Sequence, residues 1–261
     1  MNERIDVIKD AALKAGEEVL KYDSNIVTTE IKSTAGDLVT AADLGSERVI
    51  TAIIKANFPD DIIISEETSE GQELLDESHL PSLRAWVLDP IDGTNNFKKG
   101  MAYSGISIGY IDKGVIVLGA VYDPYKRELY LAAKGQGATR NGEPIHVAEK
   151  STFDAGTRVC TSNSYEGGTQ ANLARYEKLG HVWVDVLGSA VLIMTDVASG
   201  RLDLYHHNGL KPWDNAAAFL IAEEAGAKIT NLLGRPTNWL TSEVVVGNPS
   251  LVDEFIARTK N

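Results

Sequence analysis

Apolar residues recur at helical spacing from the start of the chain. Ile5, Ile8, Ala12, Ala15 and Val19, with Lys9, Lys14, Glu17 and Glu18 mostly between them, predict an amphipathic helix over residues 4–21. The polar, Ser- and Thr-rich stretch Ser24 to Gly36 reads as an exposed loop. Asp37-Leu38-Val39-Thr40-Ala41-Ala42-Asp43 leads into a second helix through Val49, Ile50, Ile53 and Ile54, which must stop before Pro59. Ile62-Ile63-Ile64 is a short, wholly apolar strand, and Ser65-Glu66-Glu67 stands at its end. After a polar segment, Thr68 to Pro81, the pattern returns: the apolar run Trp86-Val87-Leu88, the acids of Asp89-Pro90-Ile91-Asp92, then the turn Gly93-Thr94-Asn95-Asn96-Phe97. An apolar strand ending in acids therefore occurs twice, and strand ends are where α/β proteins usually keep their chemistry.

From Tyr103 the period changes to that of strands. Gly105 to Ile111, Val115 to Tyr122 and Glu128 to Ala132 are separated by Asp112-Lys113-Gly114 and Asp123-Pro124-Tyr125-Lys126, which predicts an antiparallel meander. Turns at Gly135-Gln136-Gly137 and Asn141-Gly142-Glu143-Pro144 put a subdomain boundary between 140 and 155, dividing 1–145 from 146–261 within one compact unit. The second half alternates. Strands are expected at 158–161 and 181–186 around a helix near 170–178, then a helix at 189–198 with Ser189 as its N-cap. A strand at 202–205 is followed by a loop holding His207. Trp213-Asp214 precedes an Ala-rich helix, 215–225, closed by Gly226. A strand at 244–246 and a helix at 251–258 complete the chain.

Composition narrows the class. At 43% hydrophobic and 24% charged residues, with mean hydropathy −0.13, this is a globular composition. No apolar run approaches the roughly 20 residues that span a bilayer. The N-terminus has no apolar leader segment, and the single cysteine, Cys160, forbids an internal disulfide, so a cytoplasmic location is expected. Cys160 reads as a small buried side chain. A formal net charge of −12 argues against a nucleic-acid backbone as the main partner.

Four acids stand at positions of one kind: Glu66 after a strand, Asp89 and Asp92 around a strand end, and Asp214 opening a helix. Taken alone, Asp214 and Asp43 each also serve as helix caps. Oxygen ligands of this sort suit Mg²⁺, Mn²⁺ or Ca²⁺. With no HxxxH or CxxC spacing, zinc is not expected. Four carboxylates and two divalent cations cancel in charge, so a bound phosphate dianion would invite a third, weakly held cation. Two cations about 3.5–4 Å apart can polarise a phosphoryl oxygen and activate water. Gly93 and Thr94, at a helix start, would offer backbone N–H groups to the phosphate.

Asp89-Pro90-Ile91-Asp92-Gly93-Thr94-Asn95-Asn96-Phe97 resembles the first signature of the inositol monophosphatase family, the lithium-sensitive, Mg²⁺-dependent phosphatases. Trp213-Asp214-Asn215-Ala216-Ala217, continuing to Glu224-Ala225-Gly226-Ala227, resembles the second. Residues 37–43 and Ser65-Glu66-Glu67 match in type and order. The resemblance implies a layered αβαβα sandwich of the inositol monophosphatase and fructose-1,6-bisphosphatase type, forming a homodimer. It implies one Mg²⁺ on Glu66, Asp89 and the Ile91 carbonyl, a second on Asp89, Asp92 and Asp214, and a third on Glu66, with Glu67 as the alternative in that pair. Thr94 would orient the attacking water, with Asp43 hydrogen-bonded to the Thr94 hydroxyl as proton acceptor and no phospho-enzyme formed. Gly188, Ser189 and Ala190 match a substrate-side segment, and Lys32 matches a mobile lid. Mn²⁺ would substitute for Mg²⁺; Li⁺ and Ca²⁺ would inhibit.

The implied reaction is hydrolysis of a small phosphate monoester, myo-inositol monophosphate first. Fructose-1,6-bisphosphatase, histidinol phosphatase and the 3′-phosphoadenosine-5′-phosphate phosphatases are its rivals within the superfamily. A non-catalytic regulatory protein on the same fold is the rival from another class. One departure bears on substrate: family members that grip inositol carry Glu seven residues before the second signature's Asp, and here that residue is His207. An acid accepts hydrogen bonds from sugar hydroxyls, whereas a histidine can donate or carry positive charge. His207 is therefore expected either to favour a second anionic group or to make no substrate contact.

Overall fold

The computed structural model describes residues 2–22, 29–31, 38–162 and 168–260. Lys32, the expected lid residue, lies outside the described residues. The amphipathic start forms α1 (Asn2–Val19), whose buried stripe Ile8, Ala11, Ala12, Ala15 and Val19 follows the helical period. Strands β1 (Thr29–Ile31) and β2 (Leu38–Thr40) pair antiparallel and run directly into α2 (Ala41–Asn57). Asp43 sits within the first turn of α2 rather than at its cap.

A seven-stranded sheet comes next, in the order β3 (Ile62–Ser65), β4 (Arg84–Asp92), β5 (Gly105–Asp112), β6 (Val115–Asp123), β7 (Glu128–Ala133), β8 (Ala138–Arg140) and β9 (Glu143–Pro144). Only β3 and β4 run parallel; the remainder is the meander that the hairpin turns predicted. The one-turn helix α3 (Thr94–Lys98) follows β4. A five-stranded sheet is built from β10 (Arg158–Ser162), β11 (Trp183–Leu187), β12 (Leu204–Asn208), β13 (Lys228–Thr230) and β14 (Glu243–Gly247), in the order β11-β10-β12-β14-β13. Its helices are α4 (Gly168–Tyr176), α5 (Ala190–Ala198), α6 (Pro212–Glu224) and α7 (Pro249–Thr259). The expected strand at 202–205 is shifted: it runs from Leu204 to Asn208, so His206 and His207 belong to a strand and not to a loop.

Three apolar cores stack these elements into five layers. One joins α1 and α2 to one face of the seven-stranded sheet through Trp86, Leu88, Ile106 and Ile108. A second joins the other face to α5 and α6, and these to the five-stranded sheet through Cys160, Tyr205, Val244 and Val246. The third covers the outer face of the five-stranded sheet with Tyr176 of α4 and Phe255 of α7. The order is helix, sheet, helix, sheet, helix: the αβαβα sandwich. Both sheets press on the middle helices, which is why residues far apart in the chain meet at their N-termini.

Glycines set how close that approach is. Gly109 of β5 and Gly119 of β6 are paired across the sheet. A Cβ on Gly109 would lie 2.9 Å from the Ala216 Cβ, and one on Gly119 would lie 2.8 Å from the Ala217 carbonyl oxygen. The start of α6 thus rests on bare backbone, and its first turn is carried down to the end of β4.

Candidate active site

The apolar run 85–88 is wholly buried in the sheet, and it delivers Asp89 and Asp92 to the carboxyl end of β4 with 1% and 9% exposure. On a regular strand, residues three apart face opposite sides. Here Asp89 pairs with Ser107 and Asp92 with Gly105, so β4 carries one residue more than β5 across this interval. The bulge returns Asp92 to the face that Asp89 uses. Pro90, which has no N–H for the ladder, stands inside the bulge. One step earlier in the sheet, the Glu66 N–H donates to the Leu88 carbonyl (3.2 Å), which sets Glu66 beside Asp89.

Asp214 arrives from the other half of the chain. It is the third residue of α6, and its carboxylate accepts from the Lys211 N–H at 2.7 Å, so it does close the helix start. That first turn is held from two sides. The Asn215 amide donates to the carbonyls of Trp239 (3.0 Å) and Thr241 (2.8 Å), and the Ser107 hydroxyl donates to the Trp213 carbonyl (3.3 Å).

One carboxylate oxygen each from Asp89, Asp92 and Asp214 lies within 4.8 Å of the others. Burial, then the charge of Glu66, then those of Asp92, Asp214 and Asp43, push the Asp89 carboxyl well above the usual carboxylate range. Burial lifts Asp92 to about 6, although hydrogen bonds from Ser189 and from the main chain of Val191, Gly93 and Ala190 oppose it. Burial and repulsion from Asp92 lift Asp214 to about 8. Asp89 Oδ1 is buried with no hydrogen-bond partner. Hard oxygen donors this close, one of them orphaned, fit a divalent cation, which would remove both the repulsion and the orphan.

The segments expected to face a phosphate are tied to the same acids. Asp92 accepts from the Ser189 hydroxyl (2.5 Å) and the Val191 N–H (2.8 Å), so it caps α5 from across the molecule. Ser189 is the N-cap of α5 as expected, and its hydroxyl accepts from the Leu192 N–H (3.3 Å). Gly93 has φ 88°, in the left-handed region, and a Cβ there would lie 3.1 Å from the Ser189 Cβ and 3.2 Å from the Gly188 carbonyl oxygen. Gly188 in turn leaves room for the Asn96 amide, which donates to the Tyr103 carbonyl at 2.8 Å. Residues 93–96 and 188–190 therefore form one surface.

The Thr94 hydroxyl donates its single proton to the Ile91 carbonyl (3.1 Å), so a Thr94–Asp43 hydrogen bond requires that hydroxyl to turn. Asp43 is 1% exposed and close enough for its charge to act on Asp89. His207 is 4% exposed on β12, its ring parallel to that of Tyr205 at 6.0 Å, and its Nδ1 has no partner. Burial depresses it to about 4, so it is neutral at pH 7 and carries no positive charge. The Tyr205 hydroxyl lies 3.1 Å from that of Ser162. Cys160 is buried, and burial pushes its thiol up, which makes it inert.

The residues that sequence reasoning missed hold the acids rather than supplement them. Ser46 bonds the Pro90 carbonyl, Glu47 bonds Ser65, and Gln72 and Ser107 bond main-chain carbonyls beside Glu66 and Asp214. A signal existed for one of them: Asp43, Ser46, Ile50 and Ile54 share the buried stripe of α2, so Ser46 is a polar residue at an apolar position.

The model of the inositol monophosphatase family matches residues 1–261. The inositol-1-monophosphatase of Synechocystis sp. is 34% identical over 256 residues, which cover 96% of this chain and 86% of that protein. The Nus factor SuhB of Escherichia coli (strain K12) is 32% identical over 266 residues, covering 100% of this chain and 97% of its own. The solved structure of the Thermotoga maritima IMPase has a TM-score of 0.87 at 30% identity, covering 98% of this chain and 96% of that one. With its sandwich and its acid cluster, the chain belongs to the inositol monophosphatase family.

Proposed function

We propose that this protein is a Mg²⁺-dependent phosphomonoesterase whose first substrate is myo-inositol monophosphate. One observation carries the reading: three carboxylates from two distant elements, β4 and α6, converge within 4.8 Å in a largely buried site, with an orphaned Asp89 oxygen. Asp89, Asp92 and Asp214, with Glu66 and the Ile91 carbonyl, would hold the cations. When bound, these would supply charge for the phosphoryl oxygens and lower the pKa of water. The chain's own residues do the rest. Gly93 and the 188–190 segment give the phosphate a close backbone approach, Thr94 turns its hydroxyl from the Ile91 carbonyl toward the attacking water, and Asp43 takes the proton. Ser189 and Val191 hold Asp92 in register. Residues 1–145 and 146–261 act as two subdomains of one catalytic unit.

The same reading includes inhibition by Li⁺ and Ca²⁺, support by Mn²⁺, a cytoplasmic location and a homodimer. The edge strand β11 leaves apolar surface uncovered, with Trp183 67% exposed, which supports pairing with a second copy. Sedimentation as a monomer would remove the dimer. The test of function is phosphate release from a panel of esters with Mg²⁺: inositol monophosphate, fructose 1,6-bisphosphate, histidinol phosphate and 3′-phosphoadenosine 5′-phosphate. Inositol monophosphate should be the best substrate, and Asp89→Asn should abolish release from every ester. Full activity in that variant sinks the cation assignment. A non-catalytic role, which the name of the E. coli relative favours, would instead leave the whole panel untouched in the parent protein.

A further inference from the structure

We propose that Ser46 and Glu47 of α2 are positioning residues for the cation site, acting through the main chain of the two acid-bearing strand ends. The inference rests on reading Asp89, Asp92, Asp214 and Glu66 as cation ligands. Asp43, Ser46 and Glu47 stand at i, i+3 and i+4, one patch of helix surface, at the end of α2 that faces β4. Ser46 is fully buried and donates to the Pro90 carbonyl at 2.9 Å. Glu47 accepts from the hydroxyl of Ser65 at 2.7 Å, and Ser65, 1% exposed, immediately precedes Glu66. One turn of helix thus grips both β3 and β4 at the points where their acids leave the sheet.

The grip matters most at Pro90, which the ladder with β5 does not hold; at β3 it adds to the bond from the Glu66 N–H to the Leu88 carbonyl. The bulge between Asp89 and Asp92 takes the Pro90–Ile91 peptide out of the ladder with β5. Pro90 has no N–H to anchor it, and a buried carbonyl without a donor is costly. The Ser46 hydroxyl supplies that donor. The peptide is planar, so fixing the Pro90 carbonyl also fixes the direction in which Ile91 and Asp92 continue. At β3 the Glu47–Ser65 bond holds the side chain of the residue that precedes Glu66. There Gln72 adds a second clamp, its amide donating to the carbonyls of Ser65 and Thr68, each at 2.8 Å.

Carboxylates that repel one another relax apart unless their backbones are held. Asp89, Asp92 and Asp214, with carboxylate oxygens within 4.8 Å of one another, are under that repulsion. Mg²⁺ and Mn²⁺ demand near-ideal oxygen geometry, so displacements of a few tenths of an ångström are felt as affinity. Outer-shell partners of metal ligands typically contribute about 10–100-fold in metal affinity. The device takes no part in chemistry and touches no substrate; it sets how well the acids are arranged before a cation arrives.

The test is direct Mn²⁺ binding to the full chain, read from the free Mn²⁺ resonance by electron paramagnetic resonance, with no substrate present. Ser46→Ala and Glu47→Ala should each weaken binding about tenfold. Glu47→Gln keeps an oxygen for the Ser65 hydroxyl and should bind as the parent does. Thr195→Val removes a buried hydroxyl bonded within α5, to the Leu192 carbonyl at 2.9 Å, and should also leave binding unchanged. Parent-like binding by Ser46→Ala and Glu47→Ala, with Asp89→Asn unable to bind, overturns the inference alone. So does an equal loss in Thr195→Val, and a Glu47→Gln as weak as Glu47→Ala overturns the role of Glu47. An Asp89→Asn variant that binds like the parent removes the cation site and the inference together.

Discussion

At the scale of single residues, His207 bears most directly on substrate choice. A neutral, buried imidazole with a free Nδ1 can exchange one hydrogen bond with a ligand but cannot attract a second phosphate by charge. Its burial weakens the bisphosphate reading that its identity alone invited. Glu in its place would offer sugar hydroxyls an ionised acceptor, a bond worth about 1.5 kcal/mol or roughly tenfold in rate. His207→Glu is therefore expected to raise kcat/KM for inositol monophosphate over fructose 1,6-bisphosphate by about tenfold; an unchanged ratio removes His207 from the substrate site. The clustered acids were legible because each follows a local rule: an apolar strand ends, a helix begins, and an acid stands there. Ser46, Glu47, Gln72 and Ser107 were not, because they bond to backbone contributed by other segments, and motif spacing carries no trace of that.

Among elements, α6 links the two halves. Its register on the sheet depends on two missing side chains, at Gly109 and Gly119, where a Cβ would meet Ala216 and Ala217. Gly109→Ala must push the helix start outward, and overpacking of this kind costs about 1–3 kcal/mol. Because Asp214 is two residues from Ala216, the same shift should open the carboxylate cluster. Urea denaturation should register the loss, and Mg²⁺-dependent phosphate release should fall more steeply than stability. Unimpaired release in a destabilised variant would mean that α6 does not set the position of Asp214. The helix and the strands were each readable from apolar period, but not their contact. The extension of β12 through His206 and His207 was missed for a related reason: two histidines and an asparagine carry no strand signal, and pairing with Val245, Val244 and Glu243 of β14 imposes one.

For the whole molecule, the acid cluster makes stability depend on pH and on cations in opposite senses. Asp92 at about 6 and Asp214 at about 8 lie above the ordinary value of 3.8. Between about pH 4 and pH 8 the folded, cation-free protein binds more protons than the unfolded chain, so its stability falls as pH rises through that window. A divalent cation held by these acids would replace those protons. In EDTA, Tm should decline from pH 5 to pH 8, and Mg²⁺ should raise Tm more at pH 8 than at pH 5. Asp214→Asn should flatten the decline and shrink the Mg²⁺ response. Equal Mg²⁺ shifts at both pH values would show that the cation does not displace protons from these acids.

Sequence by itself determined most of the helices and long strands, the meander, the identity of the acids and the family, since each is written in local period, turn chemistry or contiguous signatures. Tertiary structure alone decided that Asp89 and Asp92 share a face, that Asp214 reaches them, that Asp92 caps a helix from the other half, and that His207 is a buried strand residue. Those outcomes depend on a one-residue bulge, a bare glycine surface and cross-chain hydrogen bonds. Each is a relation between segments far apart in the chain, settled only when burial of three apolar cores forces them together.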